Sequence, residues 1–367
     1  MRNLTILVAF FLVASSLAQL RIPFLRKTAG TLEEVVLSLE REIESVGENL
    51  DIIPLTNWGN NYYYSSVSLG TPAQNLLVLF DTGSANFWVP AKNCTIVACL
   101  AKTKYNSANS ASYKANGTKL SLSYNGFGAV SGVIGSDSVS LNGFTATGVQ
   151  FLMADNLALN FSAVPYDGIF GLGFQAGSVG NVPPAFQYFI DQGIFTNPSF
   201  SLYLSRTTGY PGGYLILGGV DTRLNNSQFI YYPLVGKGNW SITVNKIWMG
   251  QNATLSKPTT ALISSGTSGI LGPPAVISQI LATFPAQLNC DYPNEYPNIV
   301  FDLGTRNYTV TPFDYIQSTI TGGCTVNIAG VNGLNTLILG DAFLRTVYTH
   351  FDYGNNRVGF ALPTSGF

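Results

Sequence analysis

Short runs in which apolar and polar residues alternate make up most of the chain from residue 62 onward. Gly, Pro and Asn separate these runs, which include YYYSSVSLG (62–70), LLVLF (76–80), KLSLSY (119–124) and GGYLILGG (212–219). A period of two places one face of a strand against a core, and the separating residues are those that turns prefer. The pattern therefore predicts an all-β protein.

Helical spacing is confined to three segments. Over 31–46 the apolar residues recur every three or four positions, and Thr31 with Glu34 has the spacing of a capping box. The segments 183–193 and 273–284 each begin with a pair of prolines, which suit the first turn of a helix.

One sequence pattern occurs twice. VLFDTGSANFWVP (78–90) is matched by ALISSGTSGILGPP (261–274), so that Asp81 and Ser264 lie 183 residues apart. Each copy is followed by an apolar-apolar-Gly element, which ends at Gly171 in the first half and Gly340 in the second. Two copies in the same order predict two similar β lobes that face each other across a cleft. We expect the boundary between them near residues 205–225.

The Asp-Thr-Gly-Ser stretch suits a loop that presents a carboxylate. Gly83 permits a tight turn, while the Thr82 and Ser84 hydroxyls can hold the loop and the acid. A purely structural turn is the alternative. The second copy keeps the loop residues Ser265, Gly266 and Thr267 but has Ser264 where the first has Asp81.

Composition and the N-terminus bear on compartment and partners. A net charge of −1 with 10% charged residues gives no reason to expect nucleic acid or an anionic membrane as a partner. Arg2, an apolar run from Leu4 to Val13 and small residues up to Ala18 predict a signal peptide over 1–18. A membrane anchor is the alternative, but the run is short for a bilayer span.

Cysteines and sequons agree with export. Four cysteines allow three pairings, of which 94–99 with 290–324 is the most economical. Seven Asn-x-Ser/Thr sequons follow the predicted signal peptide and favour a glycosylated secreted protein. They are Asn93, Asn116, Asn160, Asn225, Asn239, Asn252 and Asn307.

These motifs together resemble the pepsin family of aspartic proteases. The resemblance covers residues 60–367 and rests on SLGTPAQNLLVLFDTGSANFWVP, DGIFGLGF and LILGDAFLRTVYTHFDYGNNRVGFA, in that order. It implies a bilobal all-β fold, with two lobes of the six-stranded β-barrel type around a central cleft under a β-hairpin flap. The implied divisions are a signal peptide (1–18), an acidic pro-segment-like region (19–60), an N-terminal lobe (61–215) and a C-terminal lobe (216–367).

The resemblance also suggests roles for particular residues. Residues 120–141 are similar to the flap, with Tyr124 at the position of the family's substrate-covering tyrosine and one residue more than usual at the tip. Trp88 matches the tryptophan that packs near that tyrosine, although a plain core aromatic is an equal alternative. Cys94 with Cys99, and Cys290 with Cys324, fall where two of the family's disulfides usually lie. The cysteines of a third are missing.

Ser264 is the departure that affects chemistry. In this family two aspartates share a proton and hold the attacking water. A serine hydroxyl can hold a water, but it takes up no proton at accessible pH. Asp81, freed from a like-charged neighbour, is expected to ionise more readily and to be a poorer base. Asp341, which would approach the loop from below, is an alternative source of a second carboxyl.

Three functions remain as hypotheses. The favoured one is a peptide-binding pseudoprotease that is inactive or severely impaired. A working aspartic endopeptidase acting at acidic pH is the second, and a structural glycoprotein with an unused cleft is the third. Residues 29–60 carry seven acidic residues against Arg41 alone, whereas the family's pro-segments are basic. This difference fits the first hypothesis, although a solvated helix that assists folding is also consistent with it.

Other chemistries have little support. His350 is the single histidine, so no Ser-His mechanism is expected, and no His or Cys cluster indicates a metal site. We expect no cofactor, a monomer, and an extended peptide or protein segment as the partner.

Overall fold

The structure is a computed structural model that describes residues 51–124, 126–250, 252–255, 257–285, 288–291, 293–318 and 323–364. The predicted signal peptide, the helix predicted over 31–46 and the acidic segment as far as residue 50 lie outside the described residues.

Strands dominate the described residues. The first ten are β1 (Asp51–Trp58), β2 (Tyr62–Leu69), β3 (Gln74–Asp81), β4 (Phe87–Pro90), β5 (Lys114–Tyr124), β6 (Gly128–Leu141), β7 (Phe144–Leu157), β8 (Gly168–Gly171), β9 (Ser199–Leu204) and β10 (Gly209–Leu217). The next seven are β11 (Ile230–Pro233), β12 (Ser241–Val244), β13 (Lys246–Met249), β14 (Asn252–Leu255), β15 (Thr259–Ile263), β16 (Ile270–Gly272) and β17 (Ile299–Asp302). The last seven are β18 (Asn307–Val310), β19 (Ile316–Ser318), β20 (Cys324–Val326), β21 (Ile328–Gly330), β22 (Leu337–Leu339), β23 (Tyr348–Asp352) and β24 (Arg357–Ala361).

Helices are few and short, as the pattern predicts. The α-helices are α1 (Ala185–Asp191), α2 (Pro274–Leu281), α3 (Pro312–Tyr315) and α4 (Asp341–Leu344). Single 3-10 turns lie at Val97–Cys99, Ser107–Asn109, Leu159–Ala163, Gln175–Gly177, Val179–Asn181, Thr222–Leu224 and Pro293–Glu295. The first two α-helices confirm the helices predicted after the proline pairs. The other two have four residues each, too few for an apolar period to be visible.

The strands form a bilobal all-β fold, which confirms the predicted fold class. One sheet has thirteen strands in the order β11-β24-β23-β9-β10-β1-β2-β3-β8-β4-β7-β6-β5. Smaller sheets are β12-β15-β22-β16-β21, β14-β13-β17-β18 and β19-β20. The large sheet therefore carries strands from both halves of the sequence and joins the lobes directly.

This shared sheet differs from the expected divisions at two points. β1 (Asp51–Trp58) pairs with β10 and β2, so the folded sheet includes residues that the sequence places in the pro-segment-like region. β10 (Gly209–Leu217) crosses the expected boundary after residue 215 and pairs with β9. The alternating pattern marks these segments as strands, but it does not say which strand each one pairs with.

Both copies of the repeat have the same sheet geometry. β3 runs parallel to β8, with residues 78–81 opposite 168–171. β15 runs parallel to β22, with residues 261–263 opposite 337–339. In each copy, the loop therefore begins where a buried strand ends, and the neighbouring strand is the apolar-apolar-Gly element. The two loops come together at the centre because the same hydrophobic cluster contains the strand residues of both copies.

Aromatic packing and disulfides hold the rest of the fold. Trp240 is fully buried against Phe200 and Phe351, and its indole N–H donates to the carbonyl of Leu172 in the other half of the sequence (2.8 Å). Four cysteines form the two disulfides that the sequence favours, Cys94–Cys99 and Cys290–Cys324.

Candidate active site

Two loops, one from each copy of the repeat, brace each other through reciprocal hydrogen bonds. The Thr82 N–H donates to Ser265 Oγ (3.0 Å), and the Ser265 N–H donates to Thr82 Oγ1 (3.0 Å). Each hydroxyl in turn donates to a carbonyl of the opposite strand, Thr82 to Ile263 (2.8 Å) and Ser265 to Phe80 (2.6 Å). Thr82 and Ser265 are buried, so these bonds are shielded from water and fix the relative position of the loops.

The Asp81 carboxylate lies at the centre of this arrangement, with 6% of the residue exposed. The Gly83 N–H donates to Oδ1 (2.7 Å) and the Ser84 hydroxyl to Oδ2 (2.5 Å). The Gly266 N–H and the Ser264 hydroxyl also face the carboxylate and favour its ionised form. Asp81 and Ser264 therefore face each other across the two loops.

Burial changes the expectation for Asp81. Desolvation raises the pKa of this carboxyl above its usual range, while the bonds from Ser84, Gly83, Gly266 and Ser264 act in the opposite direction. The loss of a like-charged neighbour was expected to ease ionisation. The structure shows a second effect that opposes it, because the carboxylate leaves water on folding. Burial cannot be read from the motif alone.

The glycines of both loops are required by close approach. A Cβ on Gly266 would overlap the Asp81 carboxylate, and one on Gly83 would overlap the Ser264 hydroxyl. Ser264 itself is buried, with Oγ 3.1 Å from Thr267 Oγ1 and its N–H donating to the Leu339 carbonyl (3.0 Å).

The hairpin of β5 and β6 covers the site. The two strands pair up to Tyr124 opposite Gly128, and Phe127 N–H donates to the Tyr124 carbonyl (3.1 Å) at the tip. The tip residue Asn125 lies outside the described residues, so the predicted extra residue is not described in full.

Tyr124 ties this hairpin to the body of the protein. Its hydroxyl accepts a hydrogen bond from Trp88 Nε1 (2.9 Å). Trp88 is fully buried and packs edge-to-face on Phe161 (5.3 Å between centroids), as Tyr124 does (5.9 Å). Trp88 is thus both a core aromatic and the hydrogen-bond partner of Tyr124.

The cleft between the hairpin and the loops has a volume of about 280 Å³. Its lining includes Asp81 and Ser264, and one wall is aromatic, formed by Tyr124, Phe127, Phe161 and Tyr166. Sequence reasoning missed the last three. No sequence pattern singles them out, and only the fold brings them to one wall.

Asp341 lies beneath the second loop, as the sequence suggests. Its N–H donates to the Thr267 carbonyl (2.8 Å), and the residue is fully buried. Among the described residues, neither carboxyl oxygen has a hydrogen-bond partner. Burial raises the pKa of Asp341 well above its usual range, and the charge of Asp81 raises it further, against the opposing effect of Arg345.

Comparison with known proteins identifies the family. The family model described as eukaryotic aspartyl protease matches residues 62–363. Cathepsin D of Dictyostelium discoideum is 36% identical over 332 residues, which cover 86% of each chain. The chain belongs to the pepsin-like aspartyl protease family. Human gastricsin is 36% identical over 315 residues, covering 82% of this chain and 81% of its own. Dog renin is 34% identical over 337 residues, covering 87% and 83%.

The sequons, possible metal ligands and helix lengths of this aspartyl protease homologue can also be examined in the described residues. Five of the sequon asparagines are exposed and Asn225 is half-buried, while the side chain of Asn252 lies outside the description. Within the described ranges no cluster of three His, Cys, Asp or Glu side chains could bind a metal. Over the same ranges, every helix is too short or too polar to span a bilayer.

Proposed function

We propose that this protein is a secreted, glycosylated, peptide-binding homologue of pepsin-like proteases whose proteolytic activity is lost or severely impaired. The observation that carries the proposal is the partner of Asp81 across the two loops. That partner is the Ser264 hydroxyl, at the position 183 residues after the aspartate, where the family's second carboxyl would stand.

The chemical argument concerns proton transfer. A dyad of carboxyls supplies a base and an acid because proximity separates the two ionisations. With Ser264, one titrating group remains at the centre of the cleft. Loss of an acid-base group typically lowers the rate by about 10²- to 10⁴-fold, and by more where groups act as a unit.

The features that would bind a peptide are all present. The loops are braced by Thr82 and Ser265, Tyr124 is tied to Trp88, and the cleft has an aromatic wall. We therefore expect an extended peptide or protein segment in the cleft of a monomer. The signal peptide over 1–18 and the seven sequons belong to the same proposal.

An acid endopeptidase is the second candidate, and Asp341 is the observation that favours it. This buried carboxyl lies under the Ser264–Thr267 loop, close enough to Asp81 for their charges to interact. A neutral Asp341 would be an acid, but it contacts the Thr267 backbone rather than the cleft. The structural glycoprotein hypothesis has no observation in its favour beyond the sequons.

An activity assay separates these candidates. The purified mature chain is incubated with denatured protein from about pH 3 to 6, the range over which carboxyl groups titrate. Binding of pepstatin is measured in parallel by calorimetry. We expect binding with little or no turnover. Pepstatin-sensitive turnover that disappears in Asp81→Asn would overturn the proposal in favour of the endopeptidase. Absence of both binding and turnover would favour the structural glycoprotein.

A further inference from the structure

A second pocket, of about 400 Å³, lies outside the cleft described above. It is formed by the turn between β1 and β2, by α3 and β19, and by Arg345. Its lining includes neither Asp81 nor Ser264. The pocket is therefore a separate cavity, and its composition indicates what it could hold.

Two side chains in its lining have N–H groups without hydrogen-bond partners among the described residues. They are Arg345, at Nε, and Gln317, at Nε2, and both atoms are buried. A buried donor that lacks an acceptor is costly, and in native proteins such groups are nearly always satisfied. Among the described lining residues, the buried polar atoms that lack a hydrogen-bond partner are both N–H donors, and none is an oxygen acceptor. The pocket thus favours a ligand that accepts hydrogen bonds.

The charge of Arg345 points in the same direction. Its two terminal nitrogens donate to the backbone carbonyls of Asn60 (2.8 Å) and Asp314 (2.6 Å), and only 3% of the residue is exposed. The Asp314 carboxylate is bound in bidentate fashion by Arg206 (2.7 and 3.0 Å), whereas Arg345 Nε is 3.8 Å from it. Asp341 offers little compensation because burial favours its neutral form. Arg345 therefore shares its paired anion, Asp314, with the closer Arg206, and a second anion in the pocket would stabilise the remaining positive charge.

Aromatic and aliphatic groups line the same pocket. Trp58 and Phe313 are 47% and 60% exposed, and Ile316 lies beside them in the lining. Large apolar side chains left open beside buried polar donors are typical of sites that take a ligand with an apolar body and one polar group.

The pocket also adjoins the cleft. Trp58 stacks on Tyr62 (5.7 Å between centroids), and Tyr62 contacts Tyr166 and Phe127 of the aromatic wall edge-to-face. A single aromatic residue thus links the pocket to the cleft wall.

We propose that this pocket binds a carboxylate attached to an aromatic or aliphatic body, with Arg345 and Gln317 donating to the carboxylate and Trp58 and Phe313 contacting the body. The carboxylate belongs either to a free small molecule or to the end of a peptide that also occupies the cleft. Only the peptide source rests on the proposed function.

The test titrates the folded chain with 3-phenylpropionate and with its neutral isostere 3-phenylpropionamide. NMR follows the side-chain N–H resonances of Arg345 and Gln317. We expect the carboxylate to bind in about the millimolar range, as suits a ligand of this size, and at least about tenfold more tightly than the amide. Gln317→Glu replaces a donor with a negative charge at almost constant shape and should abolish the preference. Gln279→Glu, on the exposed face of α2, makes the same change of net charge elsewhere and should leave the preference intact.

Three results would overturn the proposal. They are equal binding of carboxylate and amide, equal effects of the two glutamate variants, and displacement of 3-phenylpropionate by pepstatin, which would place it in the cleft. A further arm distinguishes the two sources. A cleft peptide extended by a terminal Phe-Glu should lose affinity in Gln317→Glu, whereas the unextended peptide should not. If Gln317→Glu weakens the binding of free 3-phenylpropionate but not that of the extended peptide, the carboxylate belongs to a small molecule. If pepstatin fails to bind but 3-phenylpropionate does, the proposed function fails and this site stands.

Discussion

Replacing Ser264 with aspartate tests whether the missing carboxyl causes the proposed impairment. The groups that would hold the new carboxylate are already present. Thr267 Oγ1 is 3.1 Å from Ser264 Oγ and corresponds by the repeat to Ser84, whose hydroxyl bonds to Asp81. Gly266 corresponds to the glycine that donates its N–H to Asp81. The substitution should therefore restore the pair without rebuilding the loop.

The expected effect has two parts. If loss of acid-base function is the main defect, peptide cleavage near pH 4 should rise by at least about 10²-fold. Two carboxylates in contact should also lower stability near neutral pH, since like charges about 4 Å apart repel by about 4 kcal/mol at an effective dielectric constant of 20. One of the pair would have a raised pKa. The added destabilisation should therefore be absent at low pH and appear as the pH rises through that pKa.

The assay compares the parent, Ser264→Asp and Ser264→Asn on a fluorogenic peptide from about pH 3 to 6, with melting temperatures at both ends of the carboxyl titration range. The asparagine variant matches the aspartate in size but does not titrate, so it should stay inert and show no pH-dependent loss of stability. A folded but inert Ser264→Asp would mean that another defect exists, with the tip of the β5–β6 hairpin the next candidate. A parent as fast as the repaired protein would refute the reasoning.

Three further predictions concern bracing, the hairpin and pH. Ser265→Ala removes one donor and one acceptor from the buried brace and should lower the free energy of unfolding by about 2–4 kcal/mol in urea titrations, against almost no effect for the exposed Ser278→Ala. A loss under about 1 kcal/mol would contradict the role of the brace. Tyr124→Phe keeps the ring but removes the acceptor of the Trp88 bond, so pepstatin should dissociate about fivefold faster, and an unchanged rate would argue against the tie. Burial lowers the pKa of His350 from 6.5 to about 4, so the parent should lose about 3 kcal/mol of stability, relative to His350→Gln, as the pH falls from 6.5 to 4. A difference between these two proteins that does not vary with pH would contradict the shift.

Much of the fold was accessible from local signals. Proline pairs and apolar spacing predicted the helices that begin at Ala185 and Pro274. Cysteine spacing favoured the two disulfides, and the repeat predicted which strand ends lie together. These features depend on residues close in sequence, or on two copies of one pattern, so little knowledge of long-range packing was needed.

The parts that could not be predicted depend on distant contacts. Alternation identifies β10 as a strand but does not show that it joins the two lobes. Phe161 reads as an ordinary buried residue until the fold places it under Tyr124. The raised pKa of Asp81 depends on how completely the loops and hairpin exclude water, which no motif encodes. The donors of Arg345 and Gln317 that lack hydrogen-bond acceptors are identified only once every neighbouring residue is in place.

The geometry also explains how the proposed loss of catalysis could leave binding intact in this chain. All four bonds of the brace use main-chain groups and the hydroxyls of Thr82 and Ser265, and none uses the side chain at position 264. The main-chain N–H of Ser264 bonds to Leu339 whatever side chain the residue carries. Exchange of a carboxyl for a hydroxyl at this point therefore removes a titrating group while leaving the loop, the cleft wall and the hairpin tie in place. For the same reason Ser264→Asp should leave the loop backbone unchanged, and a change in rate near pH 4 can be assigned to the carboxyl.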